Sequence, residues 1–427
     1  MKKTTLLRGK GRSALTALLP LVILLTACGR GIHPTVEVPT APEATPVPSR
    51  TFAPTLTAPE ATAIVSLRTP DVPNRWPTQT PSPTVTLVPR EKSVIPTPGA
   101  LSYTAVLTIE SPIKRPLTVV LDNGRLFITG NRNPGEYFGE ILMYDLDTGE
   151  LTSVASSTYG PQGCMTDIDV SGEWLVWQTH SGWGTDWILY AKNLATGEEI
   201  LVDSAEQAGA TSPRGAYVAV SGDTLVWATI RKVGDGPIQS NVMAYDLTRH
   251  QTHVIASARM PDNVGNVDID GERVVWGRGS TAGGVKQANV FMYNLATQAY
   301  TQLSYDGRSG QPRIQGDYVA WRQGFGDMGP IVIYNWKTDE GIKLSRPSEW
   351  GEFPRLGDGL VCWERYTGDV RSVLYNMERN IVDGFIPSSR EGQDTFYDGW
   401  PSLWRRKVAL SYKDKRTGQW YIEVREY

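Results

Sequence analysis

The sequence predicts an all-β chain: a β-propeller of seven four-stranded blades behind a disordered tether. Three observations predict it. A Gly-[acidic]-x-aliphatic-x-Trp string recurs along the second half of the chain at intervals near 45 residues. A Tyr-Asp/Asn turn string follows each copy. The last repeat stops one strand short, while a strand belonging to no repeat stands where the folded region begins. Composition agrees, since 42 glycines, 29 prolines and 14 tryptophans among 427 residues suit turns and aromatic strands better than long helices.

Taken in order, the chain opens with Lys2, Lys3, Arg8, Lys10 and Arg12, then an apolar run from about Ala14 to Leu25. A charged start before a run this short reads as an export signal over residues 1–27. The run ends in Leu25-Thr26-Ala27-Cys28-Gly29, which resembles the bacterial lipobox. That resemblance implies cleavage before Cys28 and acylation of its thiol, so the predicted partner is the lipid bilayer and the predicted location extracytoplasmic. Residues 28–100 hold about half of the prolines, and Thr40-Ala41-Pro42-Glu43-Ala44-Thr45 recurs as Thr57-Ala58-Pro59-Glu60-Ala61-Thr62. Their apolar residues show neither a 2 nor a 3.6 period, so the segment is expected to be a disordered tether.

Residues 101–427 carry the repeats. The first motif reads Gly172-Glu173-Trp174-Leu175-Val176-Trp177, then Gly222 to Trp227, Gly271 to Trp276 and Gly316 to Trp321, with a shifted copy at Asp358 to Trp363. Degenerate copies at Gly124–Ile128 and Lys407–Leu410 bring the count to seven. The second motif appears as Tyr144-Asp145-Leu146, Tyr245-Asp246-Leu247 and Tyr293-Asn294-Leu295, among others. Its Asp or Asn side chain can bond the local backbone and open a turn. Each period then holds four strands, in the fourth repeat Asn266–Asp270, Arg273–Arg278, Asn289–Tyr293 and Tyr300–Leu303. Strand alternation sends Val274 and Trp276 to one face and Val275 to the other. Both faces are apolar because each blade is sandwiched between neighbours. Leu101–Glu110 is expected to supply the missing strand of the last blade and close the ring.

The string Gln311-Pro312-Arg313-Ile314-Gln315-Gly316-Asp317-Tyr318-Val319-Ala320-Trp321, with its later Tyr334-Asn335, resembles the TolB-type propeller repeats of prokaryotic cell-surface proteins. The resemblance covers residues 101–427 and implies an extracytoplasmic binding or scaffolding module without a particular ligand. No counterpart of the separate N-terminal domain of periplasmic TolB precedes the repeats, so that protein's envelope partners do not carry over.

Chemistry is sparse. Lys+Arg 42 against Asp+Glu 45 gives a net charge of −3, which argues against a nucleic-acid partner. Four histidines and three cysteines make no metal-ligand spacing; His250 and His253 would point to opposite faces of a strand, and neither metal nor cofactor is predicted. Cys164 and Cys362 fall in blades two and six, too far apart for a disulfide.

The candidate binding residues gather at the mouth of the central channel. Asp169, Asp268, Arg313 and Arg355 occupy equivalent places on the innermost strands, and Asp167, Tyr217, Asn266, Gln311, Phe353 and Trp400 stand two residues or so earlier. Alternation puts both sets on the channel side. Trp183, Arg231, Lys232, Phe325, Arg365 and Tyr366 lie in loops expected on the same face. As structure, these charges read as a ring of Asp/Arg ion pairs around trapped water. As function, they read as a polar, aromatic-rimmed funnel for a surface saccharide or a protein partner. The alternative from another class is a polysaccharide hydrolase or lyase using channel carboxylates such as Asp169 and Asp268.

Overall fold

The computed structural model describes residues 90–427 apart from 134–135, 182–184, 210–216, 233–235, 282–285, 325–328, 345–350, 365–371, 385–394, 398–400 and 415. Seven antiparallel sheets follow one another in chain order, spanning 115–156, 164–204, 217–259, 263–302, 309–344, 352–384 and 395–426. These are the blades of a seven-bladed β-propeller. Among the described residues helix is limited to one turn at Ala205–Ala208 and a 3-10 turn at Gly160–Gln162. None of it is long and apolar enough to cross a membrane.

Strand faces explain the ring. Blade 4 consists of Asn263–Asp270, Arg273–Ser280, Gln287–Asn294 and Tyr300–Gln302, from the axis outwards. Val274 and Trp276 pack against Ala219, Val226 and Val242 of blade 3, whereas Val275 packs against Ile314, Val319 and Trp321 of blade 5. The same rule sends Trp177 toward blade 1, Trp227 toward blade 2, Trp321 toward blade 4 and Trp363 toward blade 5. All five indoles are 0% exposed. Seven apolar clusters result, one at each junction between neighbouring blades, so burial holds blade to blade rather than filling a common centre.

Closure uses the N-terminal strand. Ala105–Glu110 pairs antiparallel with Trp420–Glu426, from Ala105 opposite Glu426 to Glu110 opposite Tyr421. Ile109 thereby joins Ile422 and Val424 against Leu126 and Ile128 of blade 1.

Residues 90–94 and 97–98, inside the segment whose composition suggests a tether, form strands. Arg90–Val94 runs parallel to Glu340–Leu344 on the outer edge of blade 5, and Thr97–Pro98 runs parallel to Ile381–Gly384 on that of blade 6. The last residues of the segment read as a tether are therefore a belt over two exposed sheet edges. Proline fits here for a specific reason. Thr97 N–H donates to Asn380 O (2.9 Å) and Gly99 N–H to Val382 O (3.1 Å), so the alternate positions Pro96 and Pro98 need no donor. Leu101 N–H then donates to Asp383 Oδ2 (2.8 Å), and the Leu101 side chain is buried between blades 6 and 7.

The turn string behaves as its chemistry requires. Asp145 Oδ1 accepts from the N–H groups of Asp147 and Thr148, and Asn193, Asp246 and Asn335 repeat the pattern in other blades. The glycine of the tryptophan motif opens a tight hairpin at positive φ, as at Gly172 (φ 58°), where a side chain would be strained.

Candidate functional site

Each blade contributes its innermost strand to the channel, and each such strand pairs with only one neighbour. Its inner edge consequently carries N–H groups that no strand accepts. Side chains of the preceding blade accept them. Val220 N–H of blade 3 donates to Asp169 Oδ2 of blade 2 (2.8 Å), and Ile314 N–H of blade 5 donates to Asp268 Oδ2 of blade 4 (2.8 Å). Leu121 N–H of blade 1 donates to Ser402 Oγ of blade 7 (2.9 Å). One step further along the strands, Gly222, Gly271 and Gly316 donate to Ser171 Oγ, Ser221 Oγ and Asp270 Oδ2 (3.1, 2.9 and 2.7 Å). These clasps lock inner strands in register around the ring. Sequence reasoning missed the second set, although a small polar residue before the motif glycine repeats visibly as Ser171-Gly172, Ser221-Gly222 and Asp270-Gly271.

Alternation along the inner strands is broken by a β-bulge opposite the motif tryptophan. The ladder slips between Asp169 and Thr166, between Asp268 and Gly265, between Arg313 and Gly310 and between Arg355 and Glu352. The residues in the bulges, Asp167, Asn266, Gln311 and Phe353, all have positive φ (47°, 51°, 57° and 52°). Asp and Asn visit this region readily; Gln and Phe are held there at a cost of ~1 kcal/mol each. Gln311 and Phe353 support one another, because Phe353 N–H donates to Gln311 Oε1 (3.2 Å) and Gln311 Nε2 donates to Glu352 Oε2 (3.3 Å).

The channel encloses a cavity of about 320 Å³. Asp167, Asp169, Asp268, Arg313 and Arg355 all line it, with Thr118, Tyr217, Phe353 and Ser402. Around the ring the level of the clasps reads Val120, Asp169, Ala219, Asp268, Arg313, Arg355 and Ser402. The charges are thus split between an acidic side at blades 2 and 4 and a basic side at blades 5 and 6. All these charged side chains lie deep in the molecule and keep only part of their surface open to the cavity. Burial pushes the Asp167 carboxyl up to about 6 and that of Asp169 to about 7, and raises Asp268 as well. Burial, then the neighbouring Arg313, lowers Arg355 to about 10.

The expected ring of direct ion pairs is not what the charges form. The carboxylates of Asp169 and Asp268 bond backbone N–H groups, Arg313 Nη1 donates to Pro312 O (3.0 Å), and Arg355 Nη1 is buried without a partner. Arg231 is committed elsewhere. It forms an ion pair with the buried Asp203, whose Oδ2 also accepts from Trp227 Nε1 (2.8 Å), and so ties blade 3 to blade 2. Cys28, Trp183, Phe325, Arg365, Tyr366 and Trp400 lie outside the described residues. Cys164 and Cys362 are free, buried thiols, and no cluster of metal-ligating side chains occurs among the described residues.

No protein-family model matches the chain, and no curated protein matches it in sequence. Solved structures that share the fold include TolB from Acinetobacter baumannii, at 15% identity over 61% of this chain and 62% of that one (TM-score 0.42). This chain thus corresponds to less than two thirds of that protein. An oligogalacturonate lyase in complex with manganese matches at 13% identity over 75% and 90% of the two chains (TM-score 0.46). The β-propeller domain of the trilobed protease from Pyrococcus furiosus, described as having an open velcro topology, matches at 10% identity over 72% and 91% (TM-score 0.51). At these identities the likeness is one of fold: this chain is a β-propeller with TolB among its structural neighbours.

Proposed function

We propose that this protein is an extracytoplasmic binding module, anchored to the membrane through an acylated Cys28 and carrying its propeller on the 28–89 segment. Its ligand enters the central channel on the face where the inner strands begin. The observation that carries this reading is the cavity itself. Apolar residues such as Val120 and Ala219 satisfy two blades at the level of the clasps and Ser402 a third, yet the other four place Asp169, Asp268, Arg313 and Arg355 there at a desolvation cost. The clasps hold the two aspartates, whereas Arg313 and Arg355 make no ion pair and act on the carboxyls only through space. The fold's own edge chemistry also weighs against acid–base catalysis by Asp169 and Asp268. Each carboxylate is engaged by a backbone N–H of the next blade, a structural task that both side chains already perform.

A surface-polymer and cell-wall glycan binding panel with the full chain tests the proposal. Retention that weakens in Arg313→Ala supports channel binding. Retention indifferent to Arg313→Ala and Asp268→Asn moves the ligand off the channel and refutes it.

A further inference from the structure

Two guanidinium groups stand on adjacent inner strands, Arg313 in blade 5 and Arg355 in blade 6, at equivalent places in the repeat. Among the described residues neither makes an ion pair with a carboxylate. Asp268 acts through space on both arginines, Asp169 on Arg355 and Asp167 on Arg313, but the carboxylates are held by inter-blade and local hydrogen bonds instead of ion pairs. Arg355 Nη1 has no hydrogen-bond partner among the described residues. A buried, unsatisfied guanidinium nitrogen beside a second cation is costly in a finished fold and calls for an anion. Paired arginines present parallel N–H donors that suit the two oxygens of a carboxylate.

Toward the mouth the lining changes character. Thr118, Asp167, Tyr217 and Phe353 offer a hydroxyl, a carboxyl and two aromatic rings. Phe353 is held at φ 52°, where glycine would be unstrained, so the position keeps an aromatic ring at the cavity against backbone preference. Hydroxyl-bonding groups beside an aromatic face suit a sugar ring. A cavity of about 320 Å³ suits a single monosaccharide unit.

We propose that the channel takes an acidic sugar residue of a surface glycan, with its carboxylate between Arg313 and Arg355 and its ring against Phe353 and Tyr217. This rests on the channel-binding reading above and adds the ligand class. Calorimetric titration of the full chain with methyl glucuronide, methyl glucoside, acetate, inorganic phosphate and a short peptide with a free C-terminus tests it. The glucuronide is expected to bind at least about tenfold more tightly than any other probe. Arg313→Gln and Arg355→Gln should each weaken it roughly 10- to 100-fold, and Arg355→Lys should restore only part. Because Arg355 makes no ion pair and its Nη1 no hydrogen bond among the described residues, Arg355→Gln should leave the melting temperature of the free protein unchanged or raise it.

Equal binding of glucoside and glucuronide would overturn the carboxylate assignment while leaving channel binding standing. Preference for acetate, phosphate or the peptide would overturn the sugar. A marked loss of stability in Arg355→Gln would show the guanidinium to be a structural partner and overturn the anion site. Silence with every probe also overturns the inference. Arg313-dependent retention in the polymer panel then decides whether the channel reading survives it.

Discussion

The clasp at Asp169 makes a quantitative prediction, because the same carboxyl both helps and harms the fold. Its Oδ2 accepts the Val220 N–H across the blade 2–blade 3 junction, while burial lifts its pKa from 3.8 to about 7. The folded carboxyl holds its proton more tightly than the unfolded one. Its contribution to stability is therefore fully present below about pH 4 and is lost as the pH rises through about 7. Three pKa units correspond to a ceiling of about 4 kcal/mol. Water in the channel screens part of this, which brings the expected effect to ~1–3 kcal/mol. Asp169→Asn keeps an oxygen to accept from Val220 and removes the charge. Urea denaturation should find it more stable than the wild type by that amount at about pH 8, and about equal at about pH 3. Asp169→Leu leaves the Val220 N–H without an acceptor and should fall ~1–3 kcal/mol below Asp169→Asn at both pH values. An Asn variant less stable than wild type at the higher pH, or a gap that widens toward the lower one, would refute the account.

Other perturbations follow from the same geometry. Trp276→Ala empties the junction between blades 3 and 4 and should cost ~3–5 kcal/mol in a denaturation experiment, with ligand binding lost only in proportion to unfolding. Deleting residues up to 110 removes the strand that pairs with Trp420–Glu426 and should leave an aggregating protein by light scattering, whereas deletion up to 98 removes only the belt over blades 5 and 6 and should give a folded, less stable one. Asp203→Ala leaves Arg231 buried without its counter-ion and frees Trp227 Nε1, so thermal unfolding should report a loss of ~3–5 kcal/mol. Cys28→Ser should release the protein from the membrane fraction on cell fractionation, the proposed acyl anchor having been lost.

The architecture was legible because the repeat imposes the same packing problem seven times. Trp177, Trp227, Trp276, Trp321 and Trp363 each fill the junction with the preceding blade, so one side chain per period exposes both blade count and strand faces. In blade 4 the first three observed strands extend the expected ones by at most three residues, at the ends where ladders run on into loops, and the fourth ends at Gln302, one residue short. The belt was not legible. Arg90–Val94 and Thr97–Pro98 form by pairing with edges far along the chain, and neither periodicity nor proline content carries that information. Local composition says only that such a segment cannot fold alone.

At the channel, the sequence located the right strands for an incomplete reason. Strict alternation predicts that Asp167 and Asp169 share a face, which holds only for an unbroken strand; the bulge opposite Trp177 turns Thr166 and Asp167 together toward partly open surroundings. An adjacent polar pair such as Thr166-Asp167 was the available signal, since a sandwiched strand has no use for two polar residues in succession. The ion-pair ring failed on a different ground. Opposite charges at one level of a ring suggest mutual neutralisation, but the inner strands bring their own unmet donors, and a backbone N–H in the next blade claims each carboxylate first. Backbone demand of this kind accounts for Asp169 and Asp268, as it does for Ser402. Arg313 and Arg355 are donors instead: Arg313 Nη1 gives to Pro312 O, and both guanidinium groups act on the channel carboxyls through space. The propeller's closure therefore explains how its acidic side is held, with the basic side set against those carboxyls across the channel.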